Sequence, residues 1–547
     1  MTRTAGLAAE VFDAVVVGGG MAGAGVAREL ALRDLSCALV EKGDFASGTT
    51  SRSSKLIHGG LRYLELFDVA LVRESLRERE TLARLAPQLV RPLPFLVPVY
   101  RTGPRKLVKV RIGLRLYDWL TPGKRTDRYR TLTREAALAL EPTLRPDDLV
   151  GAGYYFDDLL LSPERLCLEN VLSARRAGAQ ALNYAQAEEL RPRPGEGWTV
   201  RVRDLVTGDV ATVTGRMLIN AAGPWVDRIR EMAGIREKGP RLLRTTKGAH
   251  LVLPRLTERA VYLSTRDDRM VFVIPWRDFS LVGTTDTDSD ENPDRVWATA
   301  EDVAYLVAEA RRVLDDARVT EANIVYTYAG IRPLTFGDGS DGSSGKRASA
   351  VSRQHRVIAE GPDDRFLSIT GTKLTCFRSL AQRVGDEVCR RLGKGGPSRT
   401  ARLALDGSDE ETGALEARAM LDVTEAVRAS GLEPGQVGTL VATYGRRAGA
   451  VLDLARRRPG GTDRLCKSAP EIAAQLHWAV EGELAVSLQD VLLRRTGIGT
   501  GPCLGLDCAG SIAQRMGALV GWSPRRTEAE VDAYHAVARQ GLRFRAG

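Results

Sequence analysis

Apolar positions first concentrate at Val11 to Val17, and the run passes straight into glycines. A valine-rich stretch with little polar alternation predicts a buried parallel strand. It enters Gly18-Gly19-Gly20-Met21-Ala22-Gly23, a G-x-G-x-x-G, followed by helical spacing with Val26 and Leu30 on one face. Cys37 to Val40 predicts a second strand that ends at Glu41. Strand, glycines, helix, strand and acid in this order predict a dinucleotide-binding βαβ unit. Gly18 permits the tight turn, Gly20 lets the backbone approach a pyrophosphate, and Gly23 lets helix and strand pack closely. The helix N-terminus offers unpaired N–H groups to the phosphates. Glu41, 18 residues after Gly23, is placed to bond a ribose diol. NAD and FAD both fit this unit.

Later patterning favours the longer cofactor. Met217 to Asn220 predicts a short strand leading into Ala221-Ala222-Gly223-Pro224-Trp225, a small-residue turn that can return beside the adenosine half. Phe366 to Thr370 predicts another strand, followed by Gly371-Thr372-Lys373. A helix comes next, with Phe377, Leu380, Ala381, Val384 and Val388 at helical spacing and Lys373 at its start. Its dipole would stabilise negative charge on a reduced flavin. A cofactor reaching from Gly20 to Gly371 is long, as FAD is.

Elsewhere the chain changes character by region. Residues 1–85 read as α/β, with a long polar helix around Ala70 to Ala86, after which Pro92, Pro94 and Pro98 break the pattern. Short β-rich runs at Ala249–Leu253, Met270–Ile274, Ser280–Gly283 and Ile324–Tyr328 predict an antiparallel sheet, with a helix near Glu301 to Leu314. Gly337 to Ser349 reads as a mobile surface loop. Beyond about residue 400 the pattern is mostly helical, and no internal repeat is visible.

Composition narrows the class. With 547 residues, 43% apolar and 27% charged, the chain has material for several cores, roughly three or four domains. No apolar stretch of about 18 residues occurs, and Met1 to Glu10 lacks a secretory pattern, so a cytoplasmic protein is expected. Lys and Arg exceed Asp and Glu by 79 to 69. That balance suits an anionic substrate, an anionic membrane or nucleic acid, and does not choose among them. Aromatics at 6% form no basic stacking stripe, which argues against nucleic acid. Seven scattered cysteines predict reduced core residues in place of a disulfide framework. There is no H-E-x-x-H, paired C-x-x-C, acidic calcium loop or G-x-S-x-G, so neither a metal site nor an esterase is expected.

One long run carries more. Ser51-Arg52-Ser53-Ser54-Lys55-Leu56-Ile57-His58-Gly59-Gly60-Leu61-Arg62-Tyr63-Leu64-Glu65 closely resembles the signature of FAD-dependent glycerol-3-phosphate dehydrogenases. Matches continue in order at Lys247-Gly248-Ala249-His250, Ile274-Pro275-Trp276, Gly283-Thr284-Thr285-Asp286, Tyr328-Ala329-Gly330-Ile331-Arg332-Pro333 and Gly371-Thr372-Lys373-Leu374-Thr375. Thr372 departs from the glycine common in that family. The resemblance covers residues 10–400 well and the remainder more loosely.

The resemblance implies an α/β, D-amino-acid-oxidase-like fold. A doubly wound FAD-binding domain (1–85, 150–245 and 330–398) is interleaved with an antiparallel β-sheet substrate domain (86–149 and 246–329), and a helical domain follows (399–547). It implies oxidation of sn-glycerol 3-phosphate to dihydroxyacetone phosphate, with hydride passing from C2 to flavin N5 and electrons then to a membrane quinone. The partners expected are that substrate, a quinone and a membrane surface met peripherally on its cytoplasmic side, with room for a homodimer and none for nucleic acid. Two alternatives stay open: an oxidase that makes hydrogen peroxide from oxygen, and, in another class, an FAD-dependent tRNA-modifying or tRNA-binding protein. A flavin-binding regulator without turnover is a third.

The substrate expected is a phosphate dianion with a secondary alcohol. Arginine forks suit the phosphate. Arg332 is expected at a strand end, before Pro333 ends regular structure, and Arg62 and Tyr63 lie in the signature run. Alcohol oxidation also needs a proton acceptor. His250, expected to open a strand, takes that role with Arg332 assisting, and Lys373 serves the flavin or the phosphate. The cofactor set is Gly18, Gly20, Gly23, Glu41, Ser53, Ser54, Lys55, His58, Gly59, Gly60, Ala222, Gly223, Trp225, Gly330, Lys373, Leu374 and Thr375. Finally, Cys466-Lys467-Ser468 and Cys503-Leu-Gly-Leu-Asp-Cys508 resemble the [2Fe–2S] domain of anaerobic family members, with Ser468 in place of one cysteine. Three thiolates do not make the four that a cluster takes. Ser468-Ala-Pro-Glu471 reads as a capping box, so a helical region without an iron–sulfur cluster is expected.

Overall fold

The computed structural model describes residues 3–123, 125–235, 240–267, 269–336, 354–408, 410–411, 422, 424–425 and 427–546. The Gly337–Ser349 loop expected from the sequence lies outside them. Two large sheets share the first three-quarters of the chain. The first has the strand order Arg356–Glu360, Phe366–Thr370, Val210–Asn220, Val11–Val17, Cys37–Val40, Gln180–Leu182. From Phe366–Thr370 to Gln180–Leu182 every pairing is parallel. These strands are apolar on both faces because both faces are covered. Helices Met21–Ala31, Pro163–Arg176 and Phe377–Leu392 pack one face, burying Val16, Leu30, Leu168, Ile219 and Val384. The antiparallel strands Ala185–Arg193 and Gly197–Asp204, with the first half of Val210–Asn220, cover the other, where Trp198 and Val200 meet Phe12 and Val15.

The second sheet has ten strands, nearly all antiparallel. Two expectations change here. Pro92, Pro94 and Pro98 do not end regular structure but sit inside an eleven-residue strand, Val90–Tyr100. It pairs along its length with Leu149–Leu160 and only at Phe95 and Leu96 with Ala260–Ser264. Prolines two or four residues apart share one edge of a strand, so the missing donors are confined to the edge that is barely paired. The expected domain limits also shift. Leu56–Ile57, Leu149–Leu160 and Tyr326–Thr335 all pair within this second sheet, although parts of each fall in the segments assigned to FAD binding.

From Pro434 onward the described chain is helical, in two apolar clusters. The helix after Cys466 begins at Ala473, where the Gln475 side chain accepts from the Ile472 N–H. Ser468 is therefore not its cap: four residues, Pro470 among them, separate it from the first turn. Arg494 and Arg495 return to the first sheet and enclose Asp44 at 2.5–2.9 Å.

Candidate active site

A cavity of about 690 Å³ runs between the two sheets. One end is the glycine turn, with Gly18, Gly20, Glu41, Ala222, Gly223 and Trp225. The rest is lined by Ser53, Ser54, His58 and Tyr63 of the signature run, Gly330 and Arg332, His250, and Gly371 to Thr375.

The glycine end is shaped by backbone. Gly18 has φ +109° and a Cβ there would lie 2.7 Å from the Ala221 carbonyl oxygen. At Gly23 a Cβ would lie 1.8 Å from the Gly18 oxygen, so its glycine serves helix–strand approach and does not line the cavity. Gly20 differs: a Cβ there meets only Thr50 Oγ1, at 3.4 Å, and the open side is the cavity. Glu41 lines the same space. Its carboxylate accepts from Gly19 N–H at 2.6 Å and Gly43 N–H at 2.8 Å, and burial raises its pKa above the usual carboxylate value. This cradle, left open by Gly20 and continuous with the pocket around His250, fits an extended dinucleotide.

The other end is shaped by side chains. His250 is not at a strand start but in the middle of Leu243–Pro254, paired opposite Tyr328. The two rings stack with centroids 4.7 Å apart. Nε2 shares a 2.8 Å hydrogen bond with the Ser54 hydroxyl, and buried Nδ1 has no hydrogen-bond partner among the described residues. Burial, then the charges of Arg332 and Lys55, hold the imidazole well below its ordinary pKa, so it is neutral at pH 7. Arg332 is likewise mid-strand. Tyr326–Thr335 continues through Pro333, pairing with Leu243–Pro254 alone among the described strands, and an edge strand tolerates proline. Its guanidinium donates to Asp286 Oδ1 at 2.9 Å, Thr284 Oγ1 at 2.7 Å and the Thr285 carbonyl at 3.1 Å.

Lys373 precedes a 3₁₀ turn, Leu374–Cys376, and the long helix starts only at Phe377. It is buried, not a solvated first-turn lysine: Nζ donates to the His58 carbonyl at 2.8 Å and Ser75 Oγ at 2.9 Å, and sits 5.2 Å from the Tyr63 ring centre. Arg62, Lys55, Gly59 and Gly60 do not line the cavity. Lys55 is buried against Glu164 and Trp276. Gly59 N–H donates to Tyr117 and Asp157, and a Cβ at Gly60 would strike the Tyr63 ring. These residues fix the run that carries Ser54 and His58.

Sequence reasoning missed Thr50, whose hydroxyl accepts from Met21 N–H, and the Asp44 contact that brings Arg494 to the cavity wall. It also missed Tyr328 and Asp286 as supports for His250 and Arg332, though both stand inside the motifs quoted above.

A family model described as FAD dependent oxidoreductase matches residues 13–373, and one described as the C-terminal domain of alpha-glycerophosphate oxidase matches residues 398–527. A glycerol-3-phosphate dehydrogenase of Synechocystis sp. is 36% identical over 548 residues, covering 97% of this chain and 96% of its own length. An aerobic glycerol-3-phosphate dehydrogenase of Staphylococcus aureus is 33% identical, covering 97% and 94%. Among solved structures, the glycerol-3-phosphate dehydrogenase from Bacillus halodurans complexed with FAD superposes with a TM-score of 0.81 at 27% identity, covering 99% of this chain and 97% of that one.

Proposed function

Since the chain belongs to the FAD-dependent glycerol-3-phosphate dehydrogenase family, we propose that it oxidises sn-glycerol 3-phosphate to dihydroxyacetone phosphate and passes the electrons to a membrane quinone. Bound FAD supplies the two-electron acceptor for the C2 hydride. The observation that carries the reading is that a neutral histidine, His250, and two cations, Arg332 and Lys373, line the cavity that begins at the glycine turn. His250 accepts the C2 hydroxyl proton at Nε2, the nitrogen that Ser54 orients. Arg332, held by Asp286 and the Thr284 hydroxyl, presents fixed positive charge to the phosphate. Lys373, between the His58 carbonyl and Ser75, places a second cation at the same end.

A lipid-borne acceptor calls for a membrane-facing surface. Among the described residues no helix is long and apolar enough to cross a membrane. Helix Leu107–Trp119 instead has two apolar stripes. Val110, Leu114 and Tyr117 face the core, while Val108, Ile112, Leu116 and Trp119 are exposed, Trp119 by 80%. Lys109, Arg111 and Arg115 flank the exposed stripe. Glu65, bonded to Arg105 and Lys109, ties in the loop carrying Phe67, which is 89% exposed. Apolar side chains ringed by basic ones suit an anionic membrane interface.

The deciding experiment is anaerobic. Glycerol 3-phosphate should bleach the flavin, and a soluble quinone should restore the colour faster than oxygen does. Failure to bleach would refute the substrate, whereas fast reoxidation by oxygen with stoichiometric peroxide would make the protein an oxidase. Ile112→Ser with Trp119→Ser should release the protein from anionic vesicles at low salt without changing turnover on the soluble quinone. Undiminished vesicle binding would remove this helix from the interface.

A further inference from the structure

The C-terminal region gathers three thiols that the proposed reaction does not use. Cys466 precedes helix Ala473–Gly482, while Cys503 and Cys508 lie on the turn that leads into helix Ala509–Val520. Their sulfur atoms all lie within 4.8 Å of one another, and the Cys466 and Cys503 sulfurs are 3.5 Å apart. We propose that Cys466, Cys503 and Cys508 bind one Zn²⁺ ion as a structural site.

Distance, donor type and surroundings all bear on this. Sulfurs bound tetrahedrally to one zinc at about 2.3 Å stand about 3.8 Å apart, inside the span these three already occupy. All the donors are sulfur, with no carboxylate or imidazole in the group, which selects a soft cation over calcium or magnesium. Three thiolates also fall short of the four that a [2Fe–2S] cluster takes. The turn is set before any ion arrives. Leu506 N–H donates to the Cys503 carbonyl at 2.9 Å and Cys508 N–H to that of Gly505 at 3.3 Å, while the Tyr534 hydroxyl donates to the Leu504 carbonyl at 2.5 Å.

Cys466 and Cys508 are buried among Leu488, Ile512 and Tyr534, and Cys503 is partly exposed. An ion therefore enters beside Cys503, on the side where Ser468 is also exposed, and a solvent water would complete the tetrahedron there. Each thiol gives up its proton to solvent as its sulfur–zinc bond forms, so binding tightens with rising pH. The bound ion joins the segment at Cys466 to the Cys503–Cys508 turn. Val491 and Leu492 pack in the same apolar cluster, one turn from the Arg494 and Arg495 that grip Asp44.

The test uses the full-length, FAD-loaded protein purified under reducing conditions without chelators. Elemental analysis should find about one zinc per chain surviving gel filtration. Replacement by Co²⁺ should add ligand-field bands in the red, beyond the flavin absorption, with the intensity of thiolate tetrahedral coordination. Cys503→Ser should lose the metal and these bands while keeping its flavin, and Cys389→Ser should keep both. The cobalt spectrum is read on the unaltered chain, so a variant that misfolds does not shield the proposal. Retention of neither Zn²⁺ nor Co²⁺ by the reduced wild type would overturn it. So would about two irons with acid-labile sulfide per chain, which would mean a cluster.

Discussion

The two ends of the cavity are built by different means. At the dinucleotide end the shape comes from backbone: Gly18, Gly20 and Gly23 lie within six residues, and each glycine answers a different steric demand. At the reactive end the shape comes from side chains that converge across hundreds of residues. Ser54 meets His250, His250 stacks on Tyr328, Arg332 leans on Asp286, and Lys373 caps the His58 carbonyl. A local design should fail locally and completely, whereas a distributed one should lose function by degrees. The sharpest break is Gly20→Val. The fold has room for its Cβ, since only Thr50 Oγ1 comes near, so the protein should stay folded yet purify without FAD and without activity. Gly23→Val, driven into the Gly18 carbonyl, should fail to fold instead. Full flavin in a folded Gly20→Val would separate the glycine turn from the cofactor.

Substitutions at the other end should leave the protein yellow. His250→Asn removes the proposed proton acceptor and should lower kcat by about 10²- to 10⁴-fold, the usual contribution of a positioned acid–base group. A change of less than threefold would move that role to another residue. Arg332→Ala should cost less, about 1.5–3 kcal/mol or roughly 10- to 100-fold in kcat/KM, as for a lost charge-assisted bond. Lys373 remains to hold the phosphate. Stability and flavin content need measuring in the same sample, because the variant also removes the ion pair between Arg332 and Asp286, which is only 9% exposed.

This contrast also decides what could be read along the chain. Strand, glycine turn, helix, strand and Glu41 are contiguous, so periodicity and φ requirements were enough to define them. Phe366–Thr370 was equally legible, as a short apolar run beside a glycine. His250 and Arg332 could be nominated from motifs but not placed. Both stand mid-strand, and only the pairing of Leu243–Pro254 with Tyr326–Thr335 brings them to one wall. Proline misled twice, at Pro92–Pro98 and at Pro333, because tolerance depends on which edge of a strand is paired, and that is a long-range property. The Asp44 clasp by Arg494 and Arg495 spans 450 residues, and nothing in the local pattern announces it. Ser468 matched a capping pattern, but the helix behind it starts only at Ala473, while the meeting of Cys466, Cys503 and Cys508 needed the fold.

The smallest expected effect is a difference in sign between the two ends as pH changes. Burial and nearby cations hold His250 well below 6.5 in the folded protein. As pH falls through 6.5 the unfolded chain takes up a proton that the native imidazole refuses. The unfolded state then binds more protons, so stability rises with pH in this window and is lost on acidification. Glu41 behaves oppositely. Burial raises its carboxyl above 4.5, so above that pH the native state holds a proton that the unfolded chain has released, and stability falls as pH rises. Each group contributes at most one proton, or about 1.4 kcal/mol per pH unit. Both effects are visible in thermal midpoints of flavin-free protein compared between about pH 5 and pH 8. The deficit of His250→Gln relative to wild type should narrow as pH falls, and that of Glu41→Gln should narrow as pH rises. Parallel curves for wild type and His250→Gln would mean that the imidazole titrates normally in the folded protein. It would then be largely protonated at mildly acidic pH and unfit there as the proton acceptor.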